Sequence, residues 1–157
     1  MSRTEAAALG MDHVWARILS VYGPHDGPNT MISATIQKLL AGQCPDLTAG
    51  EQKWDYLTPP MLRMHCTAWP AMAAAVPCTR WAAAPPALRE YIETLRDAID
   101  LALPLGLGKI PYGPQQVMFL QADITQLAAD TGFAPRTAFA DGIRATIAWA
   151  KTQKQTN

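Results

Sequence analysis

The sequence predicts an α/β fold, and two observations lead to this prediction. Segments with the apolar pattern of buried strands alternate with amphipathic segments of helical periodicity. The earliest strand-like segment, residues 13–21, is apolar on both faces apart from Arg17, which is typical of a strand covered on both sides in a parallel sheet. The 157 residues suffice for one domain with its own core, or for part of a larger one.

The N-terminal elements follow in order. Residues 2–10 are rich in good helix formers and close on a glycine, which predicts the end of a helix. After the first strand, residues 22–29 (YGPHDGPN) form a dense turn signal. Thr30 is placed to cap the next helix, which Gly42 ends. Four apolar residues share one face of that helix: Ile32, Ile36, Leu39 and Leu40. Residues 50–57 (GEQKWDYL) predict a short return strand.

The C-terminal elements are mostly helical. Residues 88–100 predict a helix with one apolar stripe, formed by Leu88, Tyr91, Ile92, Leu95 and Ile99. Residues 103–114 read as a loop with at most a short strand. In the next predicted helix, Asp123 and Gln126 have the spacing of a capping box. The last helix, residues 139–151, is expected to bury Phe139, Ile143 and Ile147, with Trp149 nearby.

Composition excludes several classes of function. The chain has 13 Lys and Arg against 13 Asp and Glu, so no strong field favours a nucleic acid or a membrane surface. Its three cysteines have no paired spacing, which fits a reducing cytosol. We see neither a signal peptide nor an apolar run long enough to cross a bilayer. The sequence therefore predicts a cytoplasmic globular protein.

No motif in the sequence carries catalysis by itself. Residues 106–111 (GLGKIP) resemble a dinucleotide fingerprint, but Pro111 replaces the third glycine, so we interpret them as a loop. Three soft metal ligands, His65, Cys66 and Cys78, lack the closely spaced pair typical of zinc sites, and we predict no metal. Asp12 with His13, and His25 with Asp26, are adjacent residues that could suggest acid–base pairs. Adjacent side chains on a strand point to opposite faces, and those in a turn are more often solvated, so we assign neither pair to catalysis.

Three patterns in a fixed order do point to a family. Residues 17–24 meet Arg-x-x-x-Val-Tyr-Gly-Pro, and residues 54–57 read WDYL. Residues 122–149 contain Ala-Asp before a helix, a Thr-Gly-Phe-x-Pro turn and a closing Gly-Ile…Trp helix. On these motifs the chain resembles the C-terminal part of an extended short-chain dehydrogenase/reductase, of the NAD-dependent epimerase/dehydratase type that acts on nucleotide sugars. The resemblance covers residues 2–57 and 88–151.

The resemblance implies an architecture and a set of partners. Residues 1–28 would be the remnant of a Rossmann domain, and residues 29–157 a small α/β substrate-binding domain. The full-length proteins would use NAD(P), bind a nucleotide sugar and form homodimers. For this chain alone the resemblance implies no binding of NAD(P), and it names neither the sugar nor the nucleotide.

The resemblance also implies roles for particular residues. Ile18 would lie near the nicotinamide of the cofactor. Ser20 stands where many relatives have a substrate-contacting Asn. The substrate's nucleotide would meet the start of a helix at Asn29, Thr30 and Met31, where backbone N–H groups favour a pyrophosphate.

Trp54 departs from the family pattern. It stands where many relatives have an Arg that contacts the phosphates, so the usual phosphate contact is in doubt. Its indole could stack on a base or a sugar, or simply pack in the core, and the sequence leaves both open. We interpret the next residue, Asp55, as a structural hydrogen-bonding group rather than a ligand contact.

The family's catalytic machinery is expected upstream of this sequence. No Tyr-x-x-x-Lys pair and no complete glycine-rich cofactor loop occur in the 157 residues. We therefore predict a truncated NAD(P)-dependent nucleotide-sugar epimerase, dehydratase or reductase that is inactive alone and has no catalytic residue. The alternative is a non-catalytic nucleotide-sugar-binding remnant, or a gene product without a function.

Residues 58–87 are unlike the rest of the chain. They contain no Asp or Glu before the helix at Leu88, yet hold two Trp, two Cys and a proline cluster. We consider each codon read one base early, so that it starts at the last base of the preceding codon. The codon that begins in Met64 and continues into His65 then encodes alanine, and the codon that begins in Trp81 and continues into Ala82 encodes glycine, whichever synonymous codons are used. The shifted reading restores a helix of the family, so we predict an out-of-frame segment; a divergent insertion is the alternative. Resequencing the gene tests this.

Overall fold

The computed structural model describes residues 3–11, 13, 19–58, 85–123, 125, 128–129, 132 and 137–155. Most of the anomalous segment therefore lies outside the described residues. The helices are α1 (Arg3–Ala8), α2 (Met31–Leu40), α3 (Leu88–Asp97) and α4 (Phe139–Gln155). The strands are β1 (Ser20–Val21), β2 (Lys53–Trp54), β3 (Tyr56–Leu57) and β4 (Phe119–Leu120). None of the helices in these ranges is long and apolar enough to cross a membrane.

The described strands form two parallel pairs, which confirms the predicted α/β class. β1 pairs with β3, with Ser20 opposite Tyr56, and β2 pairs with β4, with Lys53 opposite Phe119. The prediction of a single return strand over residues 50–57 is wrong in one respect. The chain changes sheets at Asp55, whose carboxylate accepts a hydrogen bond from the backbone N–H of Ala122 at 3.1 Å.

Helix α2 begins and ends as the sequence predicts. The hydroxyl of Thr30 accepts a hydrogen bond from the backbone N–H of Ser33 at 3.4 Å, which is the capping contact. At the other end, Gly42 has a φ of +71° and its N–H donates to the carbonyl of Leu39. The N–H of Gln43 donates to the carbonyl of Lys38, which completes a Schellman motif.

Helix α3 begins against a neighbouring loop. Its N-cap position is Ala87, whose side chain cannot accept a hydrogen bond. The backbone N–H of Leu88 donates instead to the carbonyl of Gln52, and that of Arg89 to the carbonyl of Gly50. The loop thus satisfies two donors that a helix start leaves unpaired.

The core is formed by the predicted apolar faces. One cluster joins α2, α3 and α4 through Tyr22, Ile32, Ile36, Leu39, Leu95, Ile143 and Ile147. A second consists of Leu47, Leu88, Tyr91 and Ile92. Three residues predicted to be buried are only partly buried: Leu40 in the last position of α2, Ile99 beyond the end of α3, and Phe139 at the start of α4.

The last helix packs closely on Tyr22. The Tyr22 hydroxyl donates to the carbonyl of Phe139 at 3.2 Å. Gly142 allows this approach, because a Cβ there would overlap the hydroxyl of Tyr22. The sequence predicted this helix four residues shorter than it is, and it did not predict β4 at all.

The helix predicted over residues 122–133 is described only in part. Thr125, Ala128 and Ala129 are helical, whereas Gln126 lies outside the described residues, so its side of the capping box is untested. The carboxylate of Asp123 accepts hydrogen bonds from the backbone N–H and hydroxyl of Thr125. Gly132 has a φ of +67°, and its N–H donates a hydrogen bond to the carbonyl of Ala128, as is usual for a glycine at the end of a helix.

Candidate functional site

A cavity of about 360 Å³ opens between α2, α3 and the loop that follows α2. This volume lies within the range usual for small-molecule sites. Helix α2 contributes the residues of one face, Met31, Ala34, Thr35 and Lys38. The opposite wall is formed by the loop residues 45–48 and by two core residues of α3, Leu88 and Ile92.

The floor of the cavity comes from the two parallel strand pairs. Trp54 of β2 and Tyr56 of β3 both line it. Tyr56 packs edge-to-face on Tyr91 with ring centroids 5.2 Å apart, and Tyr91 packs on Phe139 at 4.5 Å. The cavity therefore has a largely apolar and aromatic base, as expected of a site that binds a ring system.

Trp54 is held in a fixed orientation by Ser20. The indole N–H of Trp54 donates to the hydroxyl of Ser20 at 2.6 Å, although the two residues lie 34 positions apart. Both side chains are half-buried, and Trp54 also packs on the second core cluster. The two interpretations of Trp54, core packing and contact with a ligand, are therefore compatible.

A carboxylate lies at the start of α2. Asp26 accepts hydrogen bonds from the hydroxyl of Thr30 at 2.7 Å, the hydroxyl of Ser33 at 3.4 Å and the backbone N–H of Gly27 at 2.8 Å. The interpretation of Asp26 as a merely solvated turn residue is therefore wrong. A negative charge at a helix N-terminus is favourable, because the helix dipole is positive there.

The far end of the cavity carries compensated charges. The ammonium of Lys109 lies 2.9 Å from the carboxylate of Asp46. The hydrogen bond and charge of Lys109, with a smaller contribution from Lys38, hold the pKa of Asp46 below its ordinary value. Because this pair is exposed, its effect on stability is small.

Two ionisable groups, the buried Tyr91 and the half-buried Asp55, lie next to residues that line the cavity. Burial raises the pKa of Tyr91 to about 12, with further contributions from the charges of Asp55 and Glu90. Burial also raises the pKa of Asp55, which the hydrogen bond from Ala122 partly opposes. The bond to Ala122 agrees with the structural interpretation of Asp55.

Solved structures of similar fold are nucleotide-sugar enzymes. A UDP-N-acetylglucosamine 4-epimerase from Methanobrevibacter ruminantium M1, in complex with UDP-N-acetylmuramic acid, has a TM-score of 0.82 at 20% identity, over 96% of this chain and 50% of that chain. The dTDP-glucose 4,6-dehydratase DesIV from Streptomyces venezuelae, with NAD bound, has a TM-score of 0.80 at 20% identity, over 98% and 48%. A UDP-glucuronic acid 4-epimerase from Bacillus cereus, with UDP-glucuronic acid and NAD, has a TM-score of 0.80 at 16% identity, over 96% and 48%.

The chain has the fold of about half of an extended short-chain dehydrogenase/reductase. This confirms the predicted resemblance at the level of the fold. No family model matches the sequence. An uncharacterized 37.6 kDa protein in the cld 5′ region of Escherichia coli O111:H- is 23% identical over 95% of this chain and 50% of its own length. The chain spans about half the length of the relatives it matches.

This extended short-chain dehydrogenase/reductase fold brings together three of the five residues that the sequence analysis assigned to substrate. Met31 and Trp54 line the cavity, and Ser20 is bonded to Trp54. Thr30 acts as the cap of α2. Asn29 is exposed and is not part of the cavity lining. Ile18, which was assigned to the cofactor, lies outside the described residues.

The GLGKIP loop has a structural use in this fold. The N–H of Gly106 donates to the carbonyl of Pro45 at 3.0 Å, and a Cβ on Gly106 would lie 2.7 Å from that carbonyl oxygen. The glycine serves close packing and its N–H is occupied, so this loop does not fit the diphosphate of NAD(P). His65, Cys66 and Cys78, for which the sequence analysis predicted no metal, are not among the described residues. The described residues hold no cluster of three potential metal ligands.

The sequence analysis missed the loop wall of the cavity. Leu47 and Thr48 follow α2 in a stretch without periodicity, and nothing in their spacing marks them. The sequence analysis did not single out Lys38 either. Asp26 had a usable signal, since an Asp-Gly step four residues before a capping Thr is typical of a side chain that bonds the following turn.

Proposed function

We propose that this chain forms the nucleotide-sugar-binding part of an NAD(P)-dependent epimerase, dehydratase or reductase. In the full-length enzyme a hydride would pass to and from the nucleotide-bound sugar. The chain by itself binds the substrate's nucleotide and performs no hydride transfer. The observation that carries the proposal is the cavity, which is lined both by Met31 at the start of α2 and by Trp54, whose indole is bonded to Ser20.

The chemistry of the cavity supports a nucleotide as ligand. Its floor offers the half-buried indole of Trp54, a flat surface on which a base can stack. Its lining also carries polar groups suited to a ribose or to base edges, among them the half-buried hydroxyl of Thr48 and the amide of the exposed Gln116. The similar fold of enzymes solved with UDP-N-acetylmuramic acid and with UDP-glucuronic acid points to the same class of ligand.

A binding measurement on the purified chain tests the proposal. UDP-glucuronic acid and UDP-N-acetylglucosamine are titrated into the protein by isothermal calorimetry, with glucuronic acid alone as the sugar control. We expect saturable binding of the nucleotide sugars and none of the free sugar. NAD⁺ and NADPH are titrated in the same way, and we expect neither to bind to this chain alone.

A matched pair of variants locates the binding. Ala34→Phe places a ring in the cavity and should abolish binding, whereas Ala145→Phe places the same ring on an exposed face of α4 and should leave the affinity unchanged. Melting curves of both variants separate lost binding from lost folding. If the wild-type chain binds no nucleotide sugar, the alternative of a product without a binding function is favoured.

A further inference from the structure

Among the described residues, the side chains around the Trp54 end of the cavity offer little to a phosphate group. The indole N–H of Trp54 is a hydrogen-bond donor at this end, and Ser20 occupies it at 2.6 Å. Among the described residues that line the cavity, the one cation is Lys38. Phosphate recognition normally rests on cationic donors or on free backbone N–H groups.

The start of α2 already holds an anion. Asp26 accepts bonds from the hydroxyls of Thr30 and Ser33 and from the N–H of Gly27, so its carboxylate is fixed beside the helix N-terminus. Met31, the residue directly after the cap Thr30, lines the cavity, so this carboxylate lies close to the end of the cavity that Met31 forms. A pyrophosphate brought to this end would meet a fixed negative charge instead of an open helix terminus.

Lys38 is poorly placed to compensate for this charge. It lies seven residues along α2 from Met31, a rise of about 10 Å. Its charge acts on Asp46 at the far end of the cavity, where it makes the smallest contribution to the lowered pKa of that carboxyl. The Trp54 end and the Lys38 end therefore differ, and the former is the electronegative one.

We propose that the cavity recognises the nucleoside part of its ligand and gains no affinity from the phosphates. The inference rests on the proposed function and specifies it further. Because of Trp54 and Asp26, the affinity for a ligand does not increase with the number of its phosphates. Binding would come from burial of the base and ribose against the aromatic floor. Ligands with no, one or two phosphates should then bind alike, and added salt should not weaken them.

The test compares uridine, UMP and UDP on the purified chain by calorimetry, at low and at high salt, with thymidine, dTMP and dTDP in parallel. We expect the three members of the better series to agree within about threefold, less than 1 kcal/mol in affinity. A rise of about tenfold or more from nucleoside to diphosphate, lost in salt, would overturn the inference and leave the proposed function standing. If no member of either series binds, both fail.

Two variants assign the effect to residues. Trp54→Arg supplies a cation at the electronegative end and should make UDP about tenfold tighter relative to uridine, as expected for a hydrogen bond to a charged group. Asp26→Asn serves as the second test if Trp54→Arg folds poorly. It removes the negative charge, keeps an acceptor for the N–H of Gly27, and should raise the ratio of UDP affinity to uridine affinity about threefold.

Matched controls complete the design. Asp100→Asn changes an exposed aspartate that accepts a bond from the N–H of Ala102, and Lys53→Met removes a cation beside Trp54 in sequence that does not line the cavity. Both should leave the UDP-to-uridine ratio unchanged. If Lys38→Met lowered that ratio in the otherwise native chain, Lys38 would hold a phosphate and the inference would be wrong.

Discussion

The indole N–H of Trp54 donates a 2.6 Å hydrogen bond to the hydroxyl of Ser20, which joins β2 to β1 although the two strands belong to different sheets. No main-chain ladder links these strands directly among the described residues. The bond therefore fixes both the indole that lines the cavity and the relative position of the two strand pairs.

Removal of the Ser20 hydroxyl should loosen this link. Ser20→Ala leaves the half-buried indole N–H without its acceptor, and we expect the free energy of unfolding to fall by about 1 kcal/mol. Ser20→Thr keeps a hydroxyl and should lose less. Urea titrations followed by circular dichroism measure both; equal stability of Ser20→Ala and the wild type would show that the bond contributes nothing.

The sequence predicted elements that depend on local rules. Thr30 and Gly42 bound α2 because a cap hydroxyl and a positive φ are requirements of the nearest few residues. The apolar faces of α2 and α3 became the core for the same reason, since helical periodicity places them together. The parallel pairing of β1 was likewise expected from a segment apolar on both faces.

The remainder depends on contacts between distant parts of the chain. The break of the predicted return strand at Asp55 requires the N–H of Ala122, 67 residues away. The start of α3 at Leu88 relies on the carbonyls of Gly50 and Gln52 in a distant loop, in addition to the local bond from the N–H of Ala87 to the carboxylate of Glu90. The cavity wall at residues 45–48 is held by a distant loop, since the N–H of Leu47 donates to the carbonyl of Gly106 and the N–H of Gly106 donates to the carbonyl of Pro45. No spacing within one segment encodes such contacts.

Gly50 should not tolerate a side chain. Its φ is +73°, and a Cβ there would lie 2.9 Å from the backbone N of Arg89, which donates to the Gly50 carbonyl. We expect Gly50→Ala to lower the free energy of unfolding by about 2–4 kcal/mol, through backbone strain together with displacement of the start of α3.

Gly108 is the matched control for this prediction. Its φ is +78°, but a Cβ there would meet nothing within 4 Å. Gly108→Ala should therefore lower the free energy of unfolding only by the cost of placing a Cβ at a residue with positive φ, about 1 kcal/mol. Urea titration of both variants separates the two contributions, and equal losses would contradict the proposed clash with Arg89.

Gly142 is required by Tyr22. Alanine is ordinarily about 1 kcal/mol better than glycine within a helix. Here its Cβ would overlap the Tyr22 hydroxyl and lie 2.7 Å from the Cγ2 of Thr58, so we expect Gly142→Ala to destabilise the chain by about 1–3 kcal/mol. The sign of the change in thermal or urea stability is the diagnostic result.

A double-mutant cycle tests the partner named in that prediction. Tyr22→Phe removes the hydroxyl and its bond to the Phe139 carbonyl, and should lower stability by about 1 kcal/mol. In the presence of Tyr22→Phe, Gly142→Ala should be less destabilising than in the wild type. Strictly additive losses would place the clash elsewhere.

Asp55 should make the stability of the chain depend on pH. Burial raises the pKa of its carboxyl above the ordinary value of 3.8, so the folded state holds this proton more tightly than the unfolded state does. The associated stability is fully present below the unfolded pKa and is lost as the pH rises through the folded pKa. Asp55→Asn retains an oxygen to accept the bond from Ala122 but does not titrate.

As the pH rises from about 3 to about 7, the free energy of unfolding of Asp55→Asn should therefore increase relative to that of the wild type. Urea titrations at both ends of this range measure the gain. Asp100→Asn, in which an exposed carboxylate that bonds Ala102 is replaced in the same way, provides the baseline to subtract. If Asp55→Asn instead lost stability relative to the wild type as the pH rose, the ionised carboxylate would be the favoured form in the folded chain. The bond from Ala122 would then outweigh the burial of the charge.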